Sequence, residues 1–229
     1  MVRITVFFAA ALALAVGMTS SASAQLGKGF QIPPAVRNVF LLRTEQIQKE
    51  LKLTDDQNTQ IDDLAIQLQS DALELFSSLQ DLSEEERKAE LPNLMKKFSD
   101  KGKELQAKVD KFLDAKQNAR MKELSLQQRD AEALGDEDVI AALKLTEDQK
   151  KKLSAIRDEA ARQLEEALKP LLGGGGGGGD LGDIRTKMEA MRKELSEKAL
   201  AVLTTEQRAQ FEKMKGEKFD FPAGGGFGF

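Results

Sequence analysis

The sequence predicts an all-α protein, a tandem duplication of a long antiparallel helical hairpin with short flanking helices. Three observations carry that expectation. One phrase is written twice, "ELKLTDDQ" ending at Gln57 and "ALKLTEDQ" ending at Gln149, and is echoed in "FLDAKQ" and "VLTTEQ". Apolar residues recur at steps of three and four through long stretches, the period of a helix with one buried face. The chain is only 5% aromatic against 31% charged, and Leu, Ala, Lys, Glu and Gln dominate, which favours amphipathic helices over sheet.

The repeated phrase is a helix start. Thr54 can cap the helix through its hydroxyl while Gln57, three residues on, reaches back to the Thr54 N–H; Thr146 and Gln149 repeat the bracket. Asp55 and Asp56, and then Glu147 and Asp148, fill the first turn, where the helix dipole favours carboxylates. Asp114 with Gln117, and Thr204 with Gln207, have the same offset before "NARMKEL" and "RAQFEKM". Capping accounts for all eight positions as structural helix caps, in preference to a polar ligand site.

The brackets are evenly placed. Leu53 to Leu113 is 60 positions and Leu145 to Leu203 is 58. "KELQAKVDKFLDAKQNARMKEL" lies over "KELSEKALAVLTTEQRAQFEKM" without a gap at an offset of 90, while the leading phrases align at 92. A duplication with a two-residue adjustment in its loops explains both, and two copies imply a pseudo-symmetric pair rather than a solenoid.

Taken in order, residues 1–24 have the form of a secretory signal: Arg3, the apolar stretch "ITVFFAAALALAVGM", and "ASA" before Gln25. Residues 25–40, with Pro33 and Pro34 among glycines, are expected to be an extended leader. The first helical unit is expected over 41–135. A short helix follows Thr44. A long arm then carries Ile61, Leu64, Leu68, Ala72, Leu75, Leu79 and Leu82. Ser83 and Glu86 bracket a return arm carrying Leu94, Phe98, Leu105, Val109 and Phe112, with Pro92 in its first turn or kinking it. A third helix from Asp114 carries Met121, Leu124 and Leu134.

The second unit is expected over 136–218. A short helix follows Asp136, and an outward arm carries Leu153, Ile156, Ala160, Leu164, Leu168 and Leu171, to be ended or kinked by Pro170. The return arm carries Ile184, Met188, Met191, Leu195, Ala199 and Val202. Seven glycines, 173–179, form a flexible linker between these arms. They lack the Gly-Lys-Ser/Thr ending and preceding strand of a phosphate loop. Residues 219–229, with Phe219, Phe221, Phe227 and Phe229 among glycines, are expected to be a disordered tail, or a sticky segment docking on the protein's own groove or a partner.

Composition narrows the function. The net charge is −4 with both signs interspersed, and there is no Trp or Tyr to stack on bases, which argues against nucleic acid. No run after the signal is long and apolar enough to span a membrane. Without His or Cys the commonest general base, the thiol nucleophile and the soft metal ligands are missing, so no catalytic residue, cofactor or metal is expected. Acidic neighbours such as Asp62 and Asp63 point about 100° apart on a helix and belong to a solvated face. Ser and Lys are plentiful and no pair is singled out.

The phrases "LKLTDDQ", "LKLTEDQ" and "VLTTEQRAQFEKM" resemble the LTxxQ motifs of the Spy/CpxP family of bacterial periplasmic proteins. They are similar, more closely, to exported LTxxQ-repeat proteins of planctomycete type, and the resemblance covers about residues 42 to 215. It implies an all-helical, cradle-like fold, often a homodimer, in which long antiparallel helices present a mixed apolar and charged concave face. Spy-type members are ATP-independent chaperones and CpxP-type members moderate envelope-stress signalling. The expectation is a non-enzymatic periplasmic or secreted protein that binds unfolded or apolar protein segments. The alternative is a structural or regulatory adaptor for one dedicated envelope partner. Here the net charge is acidic and the usual unit is present in duplicate, so the cradle could form within one chain.

Overall fold

The computed structural model describes residues 33–80, 82–172 and 181–221. Over those residues the chain is all-helical, with no strand. The expected signal peptide, leader residues 25–32, the glycine run 173–179 and residues 222–229 of the tail lie outside the described residues. The chain divides into two compact units that part between Met121 and Lys122.

The first unit opens with helix α1, Pro34–Leu42, followed by α2, Glu45–Leu51, α3, Asp55–Gln80, α4, Glu84–Phe112, and the beginning of α5, Ala115–Arg129. The leader is therefore not extended to residue 40, which corrects the expectation from sequence. Pro34 sits at the first helical position, where its missing N–H costs nothing and its φ is already helical. Ala35, Val36, Val39, Leu41 and Leu42 of α1 are all buried, and the helix lies against both α3 and α4. The helix is only nine residues long and opens directly on Pro33 and Pro34, a pair that reads as extended chain when it stands among glycines. Gly102 in α4 makes the approach feasible: a Cβ there would sit 2.5 Å from the Pro33 Cβ.

The doubled phrase turns out to be a helix stop joined to a helix start. α2 ends with Lys52 in the left-handed region, φ 51°, with Lys52 N–H donating to the Lys49 carbonyl (3.2 Å) and Leu53 N–H to the Gln48 carbonyl (2.9 Å). That is the Schellman pattern. Lys144 repeats it at φ 51°, with the Leu145 N–H donating to the Ile140 carbonyl at 3.1 Å. Thr54 and Thr146 then begin the long helices at once.

α3 and α4 run antiparallel, since Lys108 Nζ donates to Gln67 Oε1 (3.0 Å) while the earlier Lys101 meets the later Asp71 (2.7 Å). The Ser83/Glu86 capping box opens α4, so Pro92 lies inside the helix rather than in its first turn, and α4 continues past it.

The second unit contains the end of α5, a 3₁₀ turn over Asp130–Gly135, α6, Glu137–Leu143, α7, Glu147–Leu172, α8, Leu181–Ala201, and α9, Thr205–Met214. α7 runs on past Pro170 to Leu172, so that proline does not end the arm. Phe211, Leu134, Val139, Leu143, Leu153 and Leu203 form the core, with Ile156, Val202 and Met214 packed on it. The expected boundary at 135 moves to within α5 because the side chains after Met121 pair inside the second unit. Arg192 donates to the Gln128 carbonyl (2.8 Å), and Gln127 donates to the carbonyls of Lys215 (2.6 Å) and Glu217 (2.7 Å). Gln127 also accepts from the Phe219 N–H (2.8 Å). The chain is thus tied down at the first residue of the expected disordered tail.

Candidate functional site

The capping glutamines do more than cap. In the first unit Gln57 Oε1 accepts from the Thr54 N–H (2.9 Å), and the Gln57 N–H donates to Thr54 Oγ1 (3.2 Å), completing the expected bracket. Gln57 Nε2 also donates to the Phe112 carbonyl and to Gln117 Oε1, both at 2.7 Å. Gln117 answers: its Nε2 donates to Gln57 Oε1 (3.1 Å) and to the Leu51 carbonyl (3.2 Å), while its Oε1 accepts from the Asp114 N–H (2.9 Å). Asp114 Oδ1 accepts in turn from the Gln117 N–H (2.8 Å) and the Lys116 N–H (2.7 Å). The two side-chain amides form a closed ring, and each uses both donors and both acceptor lone pairs, the full capacity of a glutamine.

The second unit builds the same clasp. Gln149 Nε2 donates to Gln207 Oε1 (2.6 Å) and to the Val202 carbonyl (3.0 Å); Gln207 Nε2 donates to Gln149 Oε1 (3.2 Å) and to the Leu143 carbonyl (3.1 Å). Thr146 N–H and Thr204 N–H donate to their own glutamines, each at 3.0 Å. The hydroxyls of Thr146 and Thr204 accept from the N–H groups of Gln149 and Gln207, each at 3.2 Å. The four brackets thus come together two by two. Each clasp takes up the open carbonyl at the end of a short helix, Leu51 or Leu143, and one at the end of a return arm, Phe112 or Val202, groups that a helix terminus leaves without an internal partner. Glutamate could cap as well, but it has no side-chain N–H to give, so the pairing explains why glutamine stands at all four positions.

A further group of polar contacts, in the second unit, was not singled out by the sequence. Arg129, only 8% exposed, grips Asp136 through its two terminal guanidinium nitrogens, Nη1 to Oδ1 at 2.9 Å and Nη2 to Oδ2. Asp136, the expected cap of α6, makes no capping bond with its side chain. Its counterpart in the first copy, Thr44, makes none either. The offset of 92 that aligns the copies places Arg129 over Arg37 and Asp136 over Thr44; a new acid opposite an arginine shared by both copies was the available signal.

Asp130, in the left-handed region at φ 46°, accepts from Lys215 Nζ (2.5 Å) and Ser196 Oγ (2.9 Å). Burial pushes its carboxyl up, but the Lys215 ammonium and Ser196 hydroxyl outweigh it and hold the group below the usual carboxylate range. Burial lowers the Lys215 ammonium, and its bonds to Asp130 and Glu212 more than restore it, leaving it above the usual lysine value. The Lys215 ammonium also lies 4.6 Å from the Phe211 ring centroid. Ser196 and Lys215 thus bond to the same carboxylate, Lys215 as its ion-pair partner. Gly216 lets the chain leave α9 close by: it has φ +64°, and a Cβ there would meet the Glu123 carboxylate at 2.2 Å.

The apolar stripes of the arms are covered unevenly. Ile61, Leu64 and Leu68 of α3 and Leu105 and Val109 of α4 are buried beside the clasp, whereas Ala72, Leu82 and Leu94 farther out are half-exposed. In the second unit Leu195 and Ala199 are buried and Met188 and Met191, farther from the clasp, are half-exposed. Leu75, Leu79, Met95 and Phe98, and the outer residues Leu164, Leu168, Leu171 and Ile184, have side chains outside the described set. On α3, Ile66 and Leu73 stand 64% and 61% exposed. Among the described residues no three acidic side chains gather to hold a metal ion, and no helix is long and apolar enough to cross a membrane.

No family model, curated protein or solved structure matches the chain.

Proposed function

We propose that this is an exported, non-enzymatic helical binding protein, a holdase of the Spy/CpxP kind, which captures apolar segments of unfolded envelope proteins. The observation that carries the reading is the uneven cover of the arms: Ile61, Leu64, Leu68, Leu105, Val109, Leu195 and Ala199 are buried, while Ala72, Leu82, Leu94, Met188 and Met191 farther from the clasps are only half-buried. An apolar stripe on a rigid helical platform suits client segments of varied sequence, and the thioethers of Met188 and Met191 suit a surface that must adapt. The signal-like form of residues 1–24 supports a working place in the periplasm or beyond.

The test is light scattering of an aggregating client with the purified protein. Suppression at stoichiometric amounts is expected, and none at any ratio up to a several-fold excess would remove the holdase reading. A second reading draws on Ile66 and Leu73, seven residues apart on one exposed face of α3, a strip suited to a single dedicated helical partner. Capture from an envelope extract separates the two: a spread of clients supports the holdase, one stoichiometric protein the adaptor.

A further inference from the structure

At the outer end of the first hairpin, α3 and α4 border an open groove of about 430 Å³. Its lining has a polarity. Leu82, Ala89 and Leu94 supply apolar surface, Glu86 and Glu90 stand one helical turn apart, and Lys97 lies about two turns beyond them along α4. Each carboxylate has one oxygen engaged within the hairpin. Glu86 Oε2 accepts from the Ser83 N–H (2.8 Å) and hydroxyl (2.6 Å), and Glu90 Oε1 accepts from Asn93 Nδ2 (3.0 Å). Among the described residues, no partner engages the second oxygen of either. The Ser83 hydroxyl, and then the Ser83 N–H, hold the Glu86 carboxyl below its usual range, so it is charged at neutral pH. Two acids four residues apart on one helix face repel each other, and a cation set against both removes that penalty.

We propose that this groove binds protein segments in which one or two apolar side chains lie next to Lys or Arg, the apolar groups on Leu82 and Leu94 and the cation against Glu86 and Glu90. The inference rests on the reading of the protein as a binder of apolar segments and names the class it prefers. An acidic rim on apolar surface selects by charge what the apolar contacts alone cannot distinguish. The preference belongs to the first hairpin, because the second copy has seven glycines, 173–179, where the first has the segment that carries these acids.

The experiment is fluorescence anisotropy of the purified protein with two labelled synthetic peptides that share an apolar centre and differ in flanks, Lys in one and Glu in the other. The Lys-flanked peptide is expected to bind roughly tenfold tighter or better, with the advantage shrinking at about 1 M salt, where charges are screened within about 3 Å. The double variant Glu86→Gln/Glu90→Gln is expected to bring the two peptides to within about twofold, because glutamine still closes the Ser83 capping box while carrying no charge. Unchanged circular dichroism in that variant shows that the fold is intact. Equal binding of the two peptides, no binding of either, or a preference that survives in the double variant would overturn the proposal. Discrimination between peptides without suppression of aggregation would leave the groove standing and remove the holdase reading; suppression without discrimination would do the reverse.

Discussion

The two clasps make matching hydrogen bonds in different settings. In the first unit the partner of Gln57 is a buried Gln117 capped by Asp114, and the neighbouring apolar surface is covered by a separate helix, α1. In the second, Gln149 meets a half-exposed Gln207 capped by Thr204, and the 3₁₀ turn at 130–135 contacts both long helices where α1 does so in the first. The clasp therefore depends on its own four residues and two helix-end carbonyls, while the cover above it can be rebuilt. Both units carry ion pairs, Arg120 with Glu50 and Lys101 with Asp71 in the first, Arg129 with Asp136 and Asp130 with Lys215 in the second; of these four cations Arg129 is the most deeply buried.

The sharpest way to break this contrast is at the aligned pair Asp136 and Thr44. Asp136→Ala strands a buried guanidinium and should cost about 3 kcal/mol, whereas Thr44→Ala, which removes no capping bond, should cost less than about 0.5 kcal/mol. Urea denaturation reads both, and comparable shifts would show that the Arg129 pair is not holding the second unit.

The glutamines come next. Gln117→Glu removes two donors and turns carboxylate oxygens toward Gln57 Oε1 and the Leu51 carbonyl, at an expected cost of about 2–3 kcal/mol; Gln207→Glu, closer to water, should cost about half of that. A larger loss at Gln207 would invert the ranking of the two clasps.

Acid should separate the units. Asp130 has a lowered folded pKa, so its contribution is present above the unfolded carboxylate range and is lost as pH falls through the folded value. Lys215 has a raised one, so its contribution is complete below the unfolded lysine pKa and is lost as pH rises through the folded value. The tether of Lys215 to Asp130 is thus at full strength across neutral pH and weakens at both extremes. Hydrogen exchange at residues 127–130 and 215–219 should accelerate in acid before exchange around Gln57 and Gln117 does. Asp130→Asn should flatten that acid limb, and an unaltered limb would place the cause elsewhere.

Thr54→Ala and Thr146→Ala should each cost about 1 kcal/mol, equally, because both remove one capping acceptor. Two unchanged denaturation midpoints would mean the hydroxyls contribute nothing beyond the glutamines. The smallest effect is a gain: Lys52→Gly and Lys144→Gly relieve a left-handed backbone and should each stabilise by up to about 1 kcal/mol. A loss at either would mean that the lysine stem has a packing role.

Much of this was written in short-range pattern. The Thr/Gln brackets, the Ser83/Glu86 box and the three-and-four spacing from Ile61 to Leu68 gave the long helices and their starts, since caps and amphipathic stripes act within one or two turns. α1 escaped because it is short and begins at Pro33 and Pro34 among glycines, a pattern that suits an extended leader as well as a helix whose first position is a proline. The boundary within α5 escaped because one continuous helix supplies residues to both units, and no loop marks the division. Asp136 looked like a cap, and only the fold brought Arg129 near enough to take its carboxylate for another use.

The amino-acid order by itself determined the helical class, the places where helices stop and start, and the repetition of one phrase, because each is a matter of groups a few bonds apart. Only the tertiary structure decided that the capping glutamines face one another across 60 and 58 residues, which lysine meets Asp130, and which parts of the arms stay uncovered. Those outcomes depend on closing long loops and on which surfaces water is driven from, and neither is encoded in any one stretch of the chain.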